Sequence, residues 1–289
     1  MYLKNPRINS GHQACAGCGA TIAMNLASRH FPEKTVMVIP ASCWSVIAGP
    51  YPYRTLNFPA VHSAFAAGSA MATGIHYALM SKKEKDFRVI VWAGDGGTFD
   101  IGLQSLSGAL ERNLPFTYIC YDNEAYMNTG VQRSSATPLF TETTTTPSPN
   151  LKEQPKKDFL EIIAAHNVPY AASATIAFPE DLENKVKKAV STDGPSVLHI
   201  FSPCPTGQGY AEKYSVKISR LAAESGVFPI YEFENNTYHI QNKPDFSKID
   251  EYLAIQSRFK NIDEELKKMI KHYIEYKWNI LTKKSELFH

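Results

Sequence analysis

Two apolar runs of strand length, each closed by a short polar turn, constrain this chain more than any other feature. They lie within residues 89–130, VIVWAGDGGTFDIGLQSLSGALERNLPFTYICYDNEAYMNTG. Neither run alternates apolar with polar residues, which suits strands of a parallel sheet covered on both faces. The stretch between them reads as a helix and fits the right-handed crossover that joins parallel neighbours. The first run ends in Gly94-Asp95-Gly96-Gly97, the second in Asn123. Open α/β sheets bind ligands in the crevice beyond their strand C-termini. Two hard oxygens converging there suit Mg²⁺, which takes its remaining ligands from substrate phosphates. Gly94, Gly96 and Gly97 would allow positive φ and a close backbone approach to a diphosphate. The ordinary alternative for Asp95 and Asn123 is a pair of Asx turns at strand ends.

The flanking sequence continues the α/β alternation. A helix is expected over 19–29, a buried strand over 35–40, a loop over 49–57 and a small-residue helix over 64–79. After the second turn, residues 130–155 are rich in Thr, Ser and Pro. That composition suits a disordered linker, while its position suits an ordered loop over a ligand; both readings stay open. A helix over 158–166, a strand over 170–174, a helix over 180–191 and a buried strand over 195–201 follow. The expected fold is thus α/β, a mostly parallel sheet with helices on both faces. Beyond Gln208 the texture becomes polar, with a possible hairpin in YEFENNTYHI and a Lys/Glu-rich helix over 248–278. We therefore expect a ligand-binding domain over 1–208 and a C-terminal helical extension over 209–289 serving as a partner-contact arm. Residues 1–14 read as an irregular arm.

The chain has 289 residues, 44% hydrophobic and 20% charged, with a net charge of +2 from 30 basic and 28 acidic residues. These are ordinary globular values. The charges are dispersed, and no basic block indicates nucleic acid. No apolar run reaches the ~18–20 residues that cross a bilayer, and MYLKNPRINSGHQ carries no apolar signal region. The expectation is a cytoplasmic protein that meets neither nucleic acid nor membrane. In that compartment cysteines serve as metal ligands or small core residues rather than disulfides.

Five cysteines are present. Cys15 and Cys18 form a C-x₂-C knuckle bracketed by Gly17 and Gly19. Cys43 (ASCWS) and Cys204 (SPCPTG) each follow a strand, the latter preceding a proline as in some iron–sulfur motifs. Cys120 lies inside the apolar run FTYICY and reads as core. Spacing alone leaves zinc and an iron–sulfur cluster equally open. A thioredoxin-like pair is disfavoured, because the knuckle does not follow a strand.

CAGCG, ASCW, PYPY, GDGGTFDIG, DNEAYMNTG and SPCPTG occur in consistent order over roughly residues 10–235. Together they resemble the β subunit of 2-oxoacid:ferredoxin oxidoreductases, the pyruvate enzyme being the nearest. The final helical segment resembles nothing useful. The resemblance implies thiamine diphosphate held through Mg²⁺, with Asp95 and Asn123 as side-chain ligands and the carbonyl of Ala125 as a third. Gly94, Gly96, Gly97 and Thr98 would contact the diphosphate. Asn128 and Thr129 would lie beside the cofactor, and Cys43 and Trp44 near its thiazolium. Cys15, Cys18, Cys43 and Cys204 would hold one [4Fe–4S] cluster, leaving Cys120 outside. The implied chemistry is oxidative decarboxylation of a 2-oxoacid, with the cofactor as electron sink, electrons leaving singly through the cluster to ferredoxin, and coenzyme A receiving the acyl group. Another subunit would supply the activating glutamate, leaving this chain inactive alone.

Several residues carry two readings. His62 is a helix-start or packing histidine, or, by the resemblance, a group facing the active site. Arg133 suits a carboxylate, a phosphate or a surface salt bridge. Tyr51 and Tyr53 line a pocket or pack a Pro-rich loop. Among functions, pyruvate oxidation leads, followed by the same chemistry on a branched-chain 2-oxoacid, 2-oxoglutarate or oxalate. A non-oxidative thiamine enzyme has no need of four thiolates, and a cluster- or zinc-binding interaction subunit would leave the Asp95/Asn123 pairing a coincidence.

Overall fold

A computed structural model describes residues 6–287; the first five residues of the expected N-terminal arm lie outside it. The elements in chain order are α1 Gly19–Ser28, β1 Lys34–Pro40, α2 Cys43–Ile47, β2 Ala60–Ser63, α3 Gly68–Ser81, β3 Phe87–Gly94, α4 Leu103–Glu111 and β4 Phe116–Asp122. Then come α5 Phe159–Ala164, β5 Tyr170–Thr175, α6 Pro179–Ser191, β6 Ser196–Phe201, α7 Pro205–Gln208, α8 Ser215–Glu224, β7 Tyr231–Glu234, β8 Thr237–Ile240, α9 Ile249–Ala254 and α10 Glu264–Leu287.

The strands form one eight-stranded sheet in the order β2-β1-β3-β4-β6-β5-β7-β8. β2 to β5 in that order run parallel, and β7 and β8 are added antiparallel at the far edge. β4, β5 and β6 are buried at every position, which explains their lack of alternation. One apolar core fills the face covered by α1, α2 and α6, where Met24, Trp44, Trp92 and Val186 meet. A second fills the opposite face under α3, α4 and α5. A third gathers α8, α9 and α10 around Phe201 and Phe228.

The expected βα alternation and both-face coverage are borne out. β2, α2, α7 and α8 are additional elements, and the expected 248–278 helix is two helices, α9 and α10, separated by a passage with one 3₁₀ turn, Ser257–Phe259. The YEFENNTYHI segment is a hairpin whose two turn residues, Asn235 and Asn236, both have positive φ (49° and 65°). Asparagine tolerates that conformation, and such turns match the twist of a two-stranded ribbon. Residues 209–289 share the sheet and the third core with the preceding chain.

Residues 130–155 form an ordered loop. Tyr126 N–H donates to Gln132 O at 2.9 Å, and Phe140 N–H to Lys152 O at 2.7 Å. Ser134, Ala136 and Thr137 are buried. Of the two readings open from composition, the ordered one holds, because the hydroxyls of this Thr/Ser-rich stretch satisfy the loop's own backbone.

Candidate active site

Beyond the C-termini of β3 and β4 lies a cleft of about 240 Å³. The turn after β3 contributes Gly94, Asp95, Gly96 and Gly97 to its wall. The turn after β4 contributes Asn123, Ala125, Asn128 and Thr129, and the start of α2 contributes Cys43. Ladder register places Gly94 beside Tyr121, so the parallel pairing of β3 and β4 brings the two turns side by side.

The Asn123 amide oxygen faces Asp95 Oδ1 and the Ala125 carbonyl oxygen, each 2.9 Å away. Turned nitrogen-inward, the amide would donate to both; oxygen-inward, three oxygens converge with no hydrogen between them. Adjacent ligands of an octahedral ion bound at ~2.0–2.1 Å stand about 2.9 Å apart. The donor set therefore fits a small hard cation. Asp95 is buried, and its Oδ2 accepts a 2.5 Å hydrogen bond from Ser134. Burial, followed by the charge of Asp122, pushes its carboxyl well above the usual carboxylate range. This carboxylate lacks sufficient positive charge around it.

Gly94, Gly96 and Gly97 are not at positive φ, contrary to the sequence expectation. They serve through size. A Cβ at Gly94 would lie 3.3 Å from the Tyr121 hydroxyl, and one at Gly96 would collide with the Tyr126 ring. Residues Gly96–Asp100 form a single π-helical turn, a local widening frequent at functional sites.

A buried charged network lies behind the turn after β4. Asp122 meets Lys156 Nζ at 2.5 Å and His199 Nε2 at 2.7 Å. Glu124, at φ 69°, meets the same lysine at 3.0 Å and Arg258 at 2.6 Å. Burial alone would raise Asp122; Lys156 and His199 outweigh it and hold the carboxyl at about 2. Burial also lowers His199 below the ordinary imidazole value, against the pull of Asp122. Asn123 is thus gripped between two anchored carboxylates, and Gln208 Nε2 donates to its carbonyl at 3.3 Å.

The cysteines divide as expected from their surroundings. Cys120 is buried in the second core. Cys15 is exposed, and Cys18, Cys43 and Cys204 are half-buried. Burial first, then the negative charge of Cys204, Cys18, Asp95 and Cys15, pushes the Cys43 thiol up to about 12. Cys204 rises to about 11 from burial and from Cys18 and Cys15, opposed by the backbone N–H groups of Gly207 and Thr206. Four thiols that influence one another this way share one neighbourhood. Among the described residues, no three Cys, His, Asp or Glu side chains converge tightly enough to hold a single metal ion. Two contacts seat the knuckle: Gly19 N–H donates to Pro203 O at 3.1 Å, and Ser215 hydroxyl to Gly17 O at 2.6 Å. A Cβ at Gly19 would lie 2.7 Å from the Pro203 backbone, so only glycine permits this approach.

Other expected residues stand elsewhere. The Thr98 hydroxyl points inward, donating to Gly94 O at 2.7 Å and meeting Tyr118 OH, so it is turned away from the cleft. His62 lies exposed on edge strand β2, outside the cleft lining. Trp44 is buried edge-on against Trp92. Arg133 donates to Gln154 at 2.8 Å, and Tyr51 and Tyr53 are 89% and 85% exposed rather than pocket-lining.

Residues 41–200 match the family of thiamine pyrophosphate enzymes, C-terminal TPP binding domain. The pyruvate synthase subunit PorB of Methanothermobacter thermautotrophicus is 46% identical over 271 residues, covering 92% of this chain and 93% of that protein. The ketoisovalerate oxidoreductase subunit VorB of Pyrococcus horikoshii is 44% identical over 291 residues, covering 96% and 93%. The chain belongs to the β-subunit family of 2-oxoacid:ferredoxin oxidoreductases. A solved 2-oxoglutarate:ferredoxin oxidoreductase from Magnetococcus marinus has the same fold, with a TM-score of 0.62 at 20% identity over 86% of this chain and 89% of that one. The family resemblance read from the motifs is therefore borne out.

For this 2-oxoacid:ferredoxin oxidoreductase subunit, sequence reasoning missed the Asp122–Lys156–Glu124–Arg258 network, Ser134 and Tyr121. The clustered acids of DNE were a signal for the network. Nothing local marked Arg258, which lies 134 positions from its partner Glu124.

Proposed function

We propose that this chain holds thiamine diphosphate through Mg²⁺ together with one [4Fe–4S] cluster, and that with partner subunits it acts in the cytoplasm as a pyruvate synthase. The observation that carries the reading is the convergence of the Asp95, Asn123 and Ala125 oxygens in a cleft that also contains Cys43. Asp95, Asn123 and the Ala125 carbonyl would hold Mg²⁺, and Gly94, Gly96 and Gly97 would admit the diphosphate. Asn128 and Thr129 would flank the cofactor, with Thr98 bracing the turn through Gly94. Cys15, Cys18, Cys43 and Cys204 would hold the cluster. When bound, thiamine diphosphate supplies an electron sink for decarboxylation, and the cluster accepts electrons one at a time.

The chain's own residues orient and shield. Lys156 and Arg258 neutralise Asp122 and Glu124, so Asp95 remains the carboxylate available to a cation. Ser134 fixes its second oxygen. Neither nearby glutamate is free to activate the cofactor: Glu111 is exposed on α4, and Glu124 is committed to Lys156 and Arg258. That supports an activating glutamate from another subunit. Ferredoxin, coenzyme A and the 2-oxoacid complete the partners, and His62 at the exposed sheet edge would face the joined active site. The exposed Met269, Tyr276 and Leu287 of α10 support a partner-contact role for residues 209–289. Among the described residues no helix is long and apolar enough to cross a membrane.

The test is a panel of 2-oxoacids offered to the co-purified complex with coenzyme A and a low-potential electron acceptor. Pyruvate should give the highest kcat/KM, with bound thiamine and a brown chromophore near ~400 nm from thiolate-to-iron charge transfer. A branched-chain preference, favoured by the VorB relative, would correct the substrate alone. Colourless protein with one tightly bound zinc would overturn the cluster.

A further inference from the structure

Away from the cleft, a second cavity of about 240 Å³ lies between the start of α5, the strands β6, β5 and β7, and α10. The sheet explains it. Ser173 of β5 pairs with His199 of β6 in the ladder, and the Tyr231 N–H of β7 donates to the Ser173 hydroxyl at 2.9 Å. A small side chain thus stands between two large ones on three neighbouring strands. At ~4.7–4.9 Å per strand, the His199 and Tyr231 backbones are about 10 Å apart, room for one flat ring. The Ser173 hydroxyl itself is committed to Pro229 O at 2.6 Å. Phe159 and Phe228 stand edge-on to the His199 ring at 5.6 and 4.8 Å, and Ile274 and Leu281 of α10 close the apolar wall.

Two polar atoms remain for an occupant. His199 Nε2 meets Asp122, which Lys156 holds as a carboxylate, so Nε2 carries the hydrogen. Burial favours the neutral ring, which leaves Nδ1 a bare acceptor. His199 and Tyr231 are 7% and 8% exposed, yet neither Nδ1 nor the Tyr231 hydroxyl has a hydrogen-bond partner among the described residues. Neither atom is sealed in protein, so each opens onto the cavity that its residue lines. Charge around the cavity is already paired. Lys156 serves Asp122 and Glu124, and Lys157 serves Phe99 O and Asp100. Lys277 pairs with Asp158, and Lys284 with Glu161.

An occupant must therefore be apolar over most of its surface, uncharged, and able to give a hydrogen bond. Water alone fits poorly, because each buried molecule needs two to four polar partners. An apolar cavity of roughly 150 Å³ accepts benzene, so this one admits a ring with a substituent. A few polar atoms fixed in an apolar pocket are the usual make-up of a small-molecule site. We propose that the cavity binds a neutral single-ring aromatic molecule bearing a hydroxyl or N–H, which donates to His199 Nδ1 while its ring lies over Ser173 between His199 and Tyr231. The site is separate from the cleft and does not depend on the cofactor assignment. Because His199 Nε2 holds Asp122, the residue before Asn123, one side chain links the occupant to the turn after β4.

The experiment titrates phenol, anisole and benzoate into the co-purified complex, followed by calorimetry. Phenol should bind with a Kd of about 1 mM or below, within reach of a ligand of its size. Anisole lacks the donor and should bind about tenfold more weakly. Benzoate should be weaker still, because no unpaired cation meets its charge. Ile274→Phe fills the cavity from α10 and should abolish phenol binding. A second measurement needs no variant: crystals of the complex soaked in 4-bromophenol should show the bromine anomalous signal in the cavity, with the ligand oxygen in hydrogen-bond reach of His199 Nδ1. No phenol binding, equal affinity for phenol and anisole, or tighter binding of benzoate overturns the assignment. So does undiminished binding by a folded Ile274→Phe variant, a bromine signal only elsewhere, or ordered water alone in the soaked cavity.

Discussion

The oxygen side of the cleft and its cysteine side are built by different means. Asp95 and Asn123 sit at the ends of two paired strands, so the ladder between β3 and β4 sets their separation. Their turns are further fixed by Ser134 and by the Lys156–Arg258 network. The four cysteines come from three separate places: a knuckle before α1, the start of α2 and the turn after β6. Loop contacts such as Gly19 on Pro203 seat the knuckle, and Cys18 and Cys43 pack against the first core. The oxygen side is set by the sheet, while the sulfur side is assembled from loops and helix starts. Losses on the sulfur side should therefore spread less into the fold than losses behind the oxygen side.

The sharpest way to break this contrast is Asp95→Ala. It should lower activity of the complex by more than about 100-fold and abolish bound thiamine, since an outer-shell change alone costs 10–100-fold. Iron content should be retained. Normal thiamine retention would show that the two oxygens do not form one site. Next in size, Cys204→Ala should strip iron while leaving the far-ultraviolet circular dichroism unchanged. Cys120→Ala, in the core, should keep its iron; equal iron loss from both would mean that the four ligands were wrongly chosen.

Smaller effects probe the supports. Arg258→Ala leaves Glu124 buried with Lys156 as its one remaining cation, and should cost about 3 kcal/mol of stability, read by chemical denaturation. Thiamine affinity should fall with it, because Glu124 anchors the turn after β4; unchanged stability would make the network ornamental. Gly19→Ala should act most locally. Its Cβ would press the Pro203 backbone at 2.7 Å, loosening the knuckle. Iron should be lost faster to a chelator, with thiamine binding intact.

Much of this was legible in the chain itself. Strands such as β4 and β6 announce themselves because both faces are buried, and their terminal polar turns identify the ligand end. Edge strand β2, four residues with an exposed centre, leaves no apolar run to read. α2 is too short for a helical period. The break between α9 and α10 was also hidden, since the intervening passage carries Arg258, whose partner Glu124 lies far away in sequence. Glycine identity in the Gly-Asp-Gly turn was visible, but its reason was misjudged: room for Tyr121 and Tyr126 rather than backbone handedness. Thr98 likewise looked like a diphosphate contact, because sequence shows a hydroxyl beside a turn but not the direction it faces.

The Glu124–Arg258 pair also bears on how such chains can be recombined. The cofactor turn and the tail are joined by a buried ion pair, so neither can be exchanged independently between relatives. A chimera crossing over near residue 208 would inherit the carboxylate from one parent and its guanidinium from the other. Such hybrids should be viable where both parents keep the pair and should fail where one has replaced it, whatever their overall similarity. In this architecture the tail is inherited with the turn after β4.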